Sequence, residues 1–329
     1  MIRVGIGGWT YEPWRALFFP EKLPKTQELS HASRRVTSIE VNGTFYSTFT
    51  PSTFRRWAGE TPDDFIFALK APRFAVNRRV LAEAVPSIDK FFGSGVGELR
   101  SKLGPILWQL APTKKYDSED IAAFLALLPK SIDGLKLRHV IEVRHESFRC
   151  EDFITQVRKA NIAVVLADSE KYPVVADLSA DFVYVRLQEA KAELETGYGA
   201  EALGKWAALA RAWERGEAPE QFPLIAPKGK PLKSRDVFIY FINGAKERAP
   251  AAAEALIRGL GFRQFRVRHH DTLARLELPL HEISRLWENG LHEVIAKGLR
   301  ELGYVYVTVD LQGFRSGSGN EALRWTGKK

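Results

Sequence analysis

The sequence predicts a (β/α)8 barrel followed by a small appended α/β unit, and three observations carry that prediction. Eight short apolar runs rich in Val, Ile, Leu, Phe and Tyr recur at about 2–7, 36–42, 65–70, 105–110, 138–144, 162–167, 181–186 and 236–241, the number that a closed parallel barrel requires. The stretches between them are long enough to hold crossover helices. Charged or amide side chains end successive runs, namely Glu40 with Asn42, Lys70, Gln109, Glu142 with Arg144, Asp168, and Arg186. Barrel sites are assembled from such strand ends.

Taken in order, the first run passes into Gly5-Ile6-Gly7-Gly8, which lacks the spacing of a dinucleotide loop and reads as a turn-permitting cluster. Helices are expected over 119–128 after Ser118 and over 151–159 after Cys150. Residues 200–215 form another, with Leu203, Trp206, Leu209 and Trp213 at three- and four-residue spacing as a core-facing stripe. Residues 216–235 contain four prolines and several lysines and read as an exposed excursion. After Pro250 the character changes: a helix over 251–260, strands over 262–268 and 273–278, a helix over 282–302 and a strand over 304–311. That order calls for an antiparallel sheet with helices on one face, so the chain divides into a barrel at 1–250 and an appended unit at 251–329. Residues 315–320 are rich in glycine and serine and read either as a flexible tail or as a phosphate-binding loop.

With 329 residues and 45% hydrophobic side chains the chain can bury a barrel core and more. No apolar stretch approaches the length of a membrane span, and Met1 leads straight into strand-like residues, so a cytoplasmic protein is expected. The single cysteine, Cys150, excludes an intrachain disulfide and is a poor metal or redox signature. The formal charge of +8 attracts anions. Its basic pairs are short, scattered and without interleaved aromatics, so nucleic acid is a weaker partner than a small anion.

The strand ends suggest chemistry. Glu40, Glu142 and Asp168 converging on one mouth can hold a divalent metal or act as an acid and a base; alternatively, Arg144, Arg186 or Lys70 fixes the glutamates in a neutralised network, since buried carboxylates need partners. Arg144, Arg186 and Lys70 match a carboxylate, phosphate or acidic sugar. His145 is a candidate proton-transfer group. Trp9, Tyr46 and Trp108 can stack on a ligand, and Asn42, Gln109 and Asn243 can orient it. No cofactor other than a divalent cation is suggested, and the oligomeric state is left open.

The motifs Ile6-Gly7-Gly8-Trp9-Thr10-Tyr11, Ile39-Glu40-Val41-Asn42-Gly43-Thr44-Phe45-Tyr46, Phe67-Ala68-Leu69-Lys70-Ala71-Pro72, Trp108-Gln109-Leu110-Ala111-Pro112, Glu142-Val143-Arg144-His145-Glu146-Ser147-Phe148 and Tyr240-Phe241-Ile242-Asn243-Gly244-Ala245-Lys246 resemble the successive signatures of the YecE-like proteins, domain of unknown function 72. The resemblance covers about residues 1–250 and implies a TIM-type barrel with no assigned reaction. After Val185-Arg186-Leu187 this chain has Gln188-Glu189-Ala190 where that family usually shows a histidine-glycine pair. The C-terminal segments Leu260–Asp271, Ala274–Glu277 and Val307–Ser318 resemble the C-terminal part of PP-loop ATP-dependent sacrificial sulfur transferases. That second resemblance implies phosphate binding by Arg266 and Arg268, although the chain carries neither the PP-loop nor a cysteine in a matching position.

The reading these residues support first is an enzyme of open subclass acting on a small anionic sugar-like or phosphorylated substrate by carboxylate acid/base chemistry. The alternatives are a non-catalytic phosphate- or nucleic-acid-binding protein, and an assembly protein whose C-terminal unit mediates oligomer contacts.

Overall fold

The computed structural model describes residues 1–260, 266–270, 272–277, 283, 286–287, 291–301 and 303–311. Two compact units divide the chain, Met1–Leu260 and Gly261–Lys329. In the first, β1 (Ile2–Gly7), β2 (Ser38–Val41), β3 (Ile66–Lys70), β4 (Leu103–Gln109), β5 (His139–Glu142), β6 (Ala163–Asp168), β7 (Phe182–Leu187) and β8 (Asp236–Phe241) close a barrel in sequence order, every neighbouring pair parallel. Seven of the junctions are crossovers and the eighth is the closure of β8 on β1, as a parallel barrel demands.

Alternation along each strand sorts the side chains into two cores. One parity faces the helices: Ile2, Val4, Ile6, Ile39, Phe67, Leu69, Ile106, Trp108, Ile141, Val164 and Val185 belong to the large outer core. The other faces the barrel axis, where Ala68, Leu107, Val140, Val165, Tyr184, Phe238 and Tyr240 pack together. At the C-terminal ends of the strands that inner parity becomes polar, with Glu40, Lys70, Gln109, Glu142 and Arg186 all buried.

Side-chain size around the axis is uneven, and this unevenness makes room for the polar layer. On β1 the inward positions include Gly5 and Gly7, and on β6 they are Ala163, Val165 and Ala167. These two strands flank the pair β7–β8, which carries Tyr184, Arg186, Phe238 and Tyr240. Tyr240 thus reaches over Gly5, its hydroxyl 2.7 Å from Ser38 Oγ on β2. A Cβ on Gly5 would stand 2.1 Å from the Ser38 carbonyl oxygen and 3.1 Å from the Tyr240 ring.

The helices begin and end where local chemistry dictates. Asp117 caps Ser118–Leu127 by accepting from the Asp120 amide at 3.0 Å, and Asn161 ends Glu151–Ala160 in the left-handed conformation that Asn tolerates. Ala200–Glu214 buries Leu203, Leu209 and Trp213 as its spacing predicts, while Trp206 stacks on Phe222 of the following excursion. The alanine-rich helix belongs to the barrel, contrary to the expected boundary at residue 250. It spans Ala249–Gly259, buries Ala249, Ala252, Ala253 and Leu256, and packs on β1, β8 and Ala200–Glu214. A barrel needs a helix to cover the closure between its first and last strands, and this one supplies it.

The second unit holds β9 (Arg266–His270), β10 (Leu273–Glu277), the helix Leu291–Glu301 and β11 (Tyr306–Val309). Its sheet is mixed and not purely antiparallel: β9 and β10 form a hairpin, but β11 lies parallel to β10. A helix intervenes between β10 and β11, and a crossover of that kind returns the chain in the same direction. No described helix is long and apolar enough to cross a membrane.

Substitution of Gly5 by alanine forces β1 and β2 apart at the closest point of their approach. A loss of roughly 1–3 kcal/mol is expected, read as a lower urea midpoint with an unchanged slope; an unchanged midpoint would contradict the account of how Gly5 admits Tyr240.

Candidate functional site

Arg186, only 2% exposed, occupies the centre of the mouth. It donates through Nε to Glu40 Oε2 at 3.1 Å and through Nη2 to Glu40 Oε1 at 3.1 Å, a bidentate pair, and through Nη1 to Glu142 Oε2 at 2.6 Å. Glu40 also accepts from the Tyr184 hydroxyl at 2.7 Å. Glu142 also accepts from Gln109 Nε2 at 2.6 Å and from Arg144 Nε and Nη2 at 3.1 and 3.0 Å. The Arg144 guanidinium lies 4.4 Å from the centre of the Tyr172 ring, a cation–π contact. The two carboxylates are therefore neutralised by guanidiniums with nearly every lone pair used, the arrangement that buried charges require.

The electrostatics follow. Burial pushes the Glu142 carboxyl up, but Arg186 and Arg144, with Gln109, outweigh it and hold the group below the usual carboxylate range. Burial opposes the charge on Arg186 as well, and the two glutamates more than restore it. Tyr184 is driven well above the phenol range by burial and by the adjacent Glu40. Neither Glu142 nor Tyr184 is thus poised to exchange a proton near neutrality.

Lys70 is different. It is 7% exposed, yet among the described residues it forms no ion pair, and its ammonium rests 4.2 Å from the centre of the Phe45 ring. Burial and the neighbouring Arg186 push it down from 10.5 to about 8, against the pull of Glu40 and Glu142. Charges in the mouth are two carboxylates against two guanidiniums and this ammonium, so the site holds one positive charge in excess when Lys70 is protonated. A further donor is unspent: Gln188 continues the inward alternation of β7 past Arg186 and is 7% exposed, and its Nε2 has no hydrogen-bond partner among the described residues while its Oε1 accepts from Asn243 Nδ2 at 3.5 Å.

Of the residues the sequence picks out, Glu40, Lys70, Gln109, Glu142, Arg144 and Arg186 come together. Asn42 lies beside them, its Nδ2 3.2 Å from where a Cβ on Gly7 would stand, and the exposed Asn243 touches the layer through Gln188. Asp168 does not join Glu40 and Glu142. It has the outward parity of β6, and Tyr198 donates to it at 3.1 Å; burial and Glu189 raise its carboxyl above the usual range. The expected three-carboxylate cluster therefore does not assemble, because Arg186 stands between the two glutamates, and the described residues contain no group of three or more His, Cys, Asp or Glu side chains able to hold a metal. Trp108 is also outward and fully buried against Phe91, Phe124 and His139, its indole donating to His139 Nδ1 at 3.0 Å. Trp9 packs edge-on against Trp57 at 5.1 Å. The His145 ring caps its own turn, Nδ1 accepting from the Ser147 amide at 3.1 Å. Tyr46 is exposed beside the mouth. Arg266 and Arg268 stand on β9, but their side chains lie outside the described residues. Sequence reasoning missed Tyr184, Tyr172 and Gln188; two-residue spacing from Arg186 is the signal that points to Tyr184 and Gln188.

A family described as "Protein of unknown function DUF72" matches residues 3–275. Among solved structures, a DUF72 protein of Thermotoga maritima superposes with a TM-score of 0.62 at 20% identity, covering 79% of this chain and 99% of that one. A DUF72 protein of Enterococcus faecalis gives 0.57 at 15% identity over 79% and 98%. At such identities the likeness concerns the fold alone. Two curated relatives match over short segments: pyridinium-3,5-bisthiocarboxylic acid mononucleotide synthase of Lactiplantibacillus plantarum is 44% identical over 72 residues, and an uncharacterised protein of Synechocystis is 35% identical over 92. The matched segments span 25% and 34% of those proteins' own length and 22% and 28% of this chain.

Two outcomes follow from this wiring. Glu142→Leu leaves Arg186 and Arg144 short of a counter-ion and is expected to lower stability by roughly 3–5 kcal/mol in urea unfolding; a neutral result would mean the pairing does not hold the mouth. For Lys70, the unfolded chain carries a proton between about pH 8 and pH 10.5 that the folded chain lacks, so the site's contribution to stability rises with pH across that window and the buried ammonium is a full cost below it. Lys70→Met should accordingly stabilise the protein at pH 7, by on the order of 3 kcal/mol at most, with the gain shrinking towards pH 10. A gain independent of pH would refute the assignment.

Proposed function

Because this chain belongs to the DUF72 family of proteins of unknown function, its reaction has to be argued from its own mouth, and we propose that it is an enzyme acting on a small anionic, sugar-like or phosphorylated substrate with Lys70 as the proton-transfer group. The observation that carries this reading is the unpaired, buried Lys70 in a site with one excess positive charge. A buried cation without a counter-ion is costly, and an anionic ligand removes that cost. Arg144 Nη1, which makes no hydrogen bond among the described residues, and the unspent Nε2 of Gln188 are further donors for it. Glu40 and Glu142 are better suited to holding the guanidiniums rigid than to moving protons, so the acid/base role shifts from the carboxylates to the lysine.

An ammonium with a pKa near the operating pH is an effective general acid. Held charged by the bound anion, Lys70 can give a proton to the ester oxygen of a phosphorylated substrate as the phosphorus–oxygen bond to it breaks and a water molecule forms the new one, and can regain a proton from that water. Hydrolysis of a phosphate ester is the reaction class this chemistry fits. The lone Cys150 is consistent with a reducing compartment, and we place the activity in the cytoplasm.

Calorimetric titration with inorganic phosphate and with ribose 5-phosphate tests the reading. Binding should weaken at least about tenfold in Lys70→Met, the loss of one charge-assisted contact. At pH 8.5 wild-type binding should take up protons, since the anion draws Lys70 back to its charged form. Equal affinity in the two proteins, or binding without proton uptake, would rule Lys70 out.

A further inference from the structure

Beside the mouth, on the loops that follow β2 and β3, lies a groove of about 350 Å3. Its walls include Phe45, Tyr46, Phe74, Arg78 and Lys90. Phe45 is common to groove and mouth, since the Lys70 ammonium rests on its ring at 4.2 Å, and Thr44, another wall residue, donates from Oγ1 to the Lys70 carbonyl at 2.7 Å. The two spaces therefore share a wall at the lysine.

The groove is aromatic and basic at once. Tyr46 is 63% exposed and Phe74 62%, although both are large rings that a packed loop would bury. Arg73 covers one face of Phe74 at 5.0 Å from the ring centre. Arg78 is fixed in place, donating through Nε to the Phe74 carbonyl at 2.6 Å and through Nη2 to Ser87 Oγ at 3.0 Å, and the exposed Lys90 lies on the same wall. An alkyl chain would use the rings but not the cations and hydroxyls. A planar ring with polar edges uses both. The volume is at the lower end of that of small-molecule pockets and suits a single ring with its sugar.

We propose that the anion received by this protein is a nucleoside phosphate, its base lying between Tyr46 and Phe74 in the groove and its phosphate meeting Lys70. This deepens the reading above and rests on it. The sugar then spans the wall at Phe45, and the base ring supplies the binding energy that holds the phosphate against the ammonium.

The test is calorimetric titration of the full chain with the four ribonucleoside monophosphates, ribose 5-phosphate, inorganic phosphate and the four nucleosides. At least one nucleotide should bind roughly tenfold or more tightly than ribose 5-phosphate, in keeping with the worth of one base stacked on an aromatic ring. Tyr46→Ala and Phe74→Ala, both at exposed positions that the fold does not need, should erase that increment and leave ribose 5-phosphate binding unchanged. Nucleotides that bind no tighter than ribose 5-phosphate would overturn the proposal while leaving the mouth as an anion site. Nucleosides that bind as tightly as nucleotides and are indifferent to Lys70→Met would overturn it too, by separating the groove from the mouth. If neither phosphate nor ribose 5-phosphate binds at all, the anion reading fails and this inference with it.

Discussion

The guanidinium of Arg186, wedged between two buried glutamates, is the interaction on which the rest of the mouth depends. A barrel axis is a poor place for charge, and three ionised groups there are tolerable only if each finds its partner. Arg186 meets Glu40 through two parallel hydrogen bonds and Glu142 through a third, so its rigid fork sets the separation of the carboxylates. Everything above that layer inherits its placement: Arg144 is oriented by Glu142, Gln109 by the same carboxylate, and Tyr184 by Glu40.

That network exists because neighbouring strands give way. Arg186 and Tyr184 on β7 and Tyr240 on β8 are large, while the inward positions Gly5 and Gly7 of β1 and Ala163 and Ala167 of β6 are small. The long side chains cross over the small ones, from β7 to β5 and from β8 to β2 two positions away, and from β7 to β2 three positions away. One consequence is chemical. With both carboxylates committed to guanidiniums, Lys70 on β3 is left in the same low-dielectric layer without a counter-ion, and its ammonium is the group in the mouth whose charge is most easily changed by what binds there.

The barrel was legible because its signals are local and repeated. Short apolar runs mark all eight strands to within two or three residues, and polar strand ends mark the face that carries the site. What could not be read is direction and partnership. Asp168 at the end of β6 and Trp108 next to the end of β4 are as conspicuous as Glu142 and Gln109, but a one-residue difference in parity turns them towards the helices. Likewise, Glu40 and Glu142 look like a catalytic pair until the reach of Arg186 across the barrel is known, because pairing over 146 and 44 residues leaves no local trace. The helix Ala249–Gly259 reads as lying beyond the barrel for a similar reason: its alanine-rich composition differs from the preceding segments, while its role in covering the β1–β8 closure is set by topology.

The central claim, that Lys70 is a buried, unpaired amine awaiting an anion, is tested most directly by titrating it. Protein labelled with 13C at the lysine ε-carbon, with the resonance assigned by its loss in Lys70→Met, would be followed by NMR from pH 6 to 11 in the absence and presence of saturating phosphate. The account predicts a midpoint near 8 for the free protein and a clear upward displacement when phosphate is bound. A midpoint near 10.5 that phosphate leaves in place would contradict it, and would return the mouth to a charge network that only fills the end of the barrel.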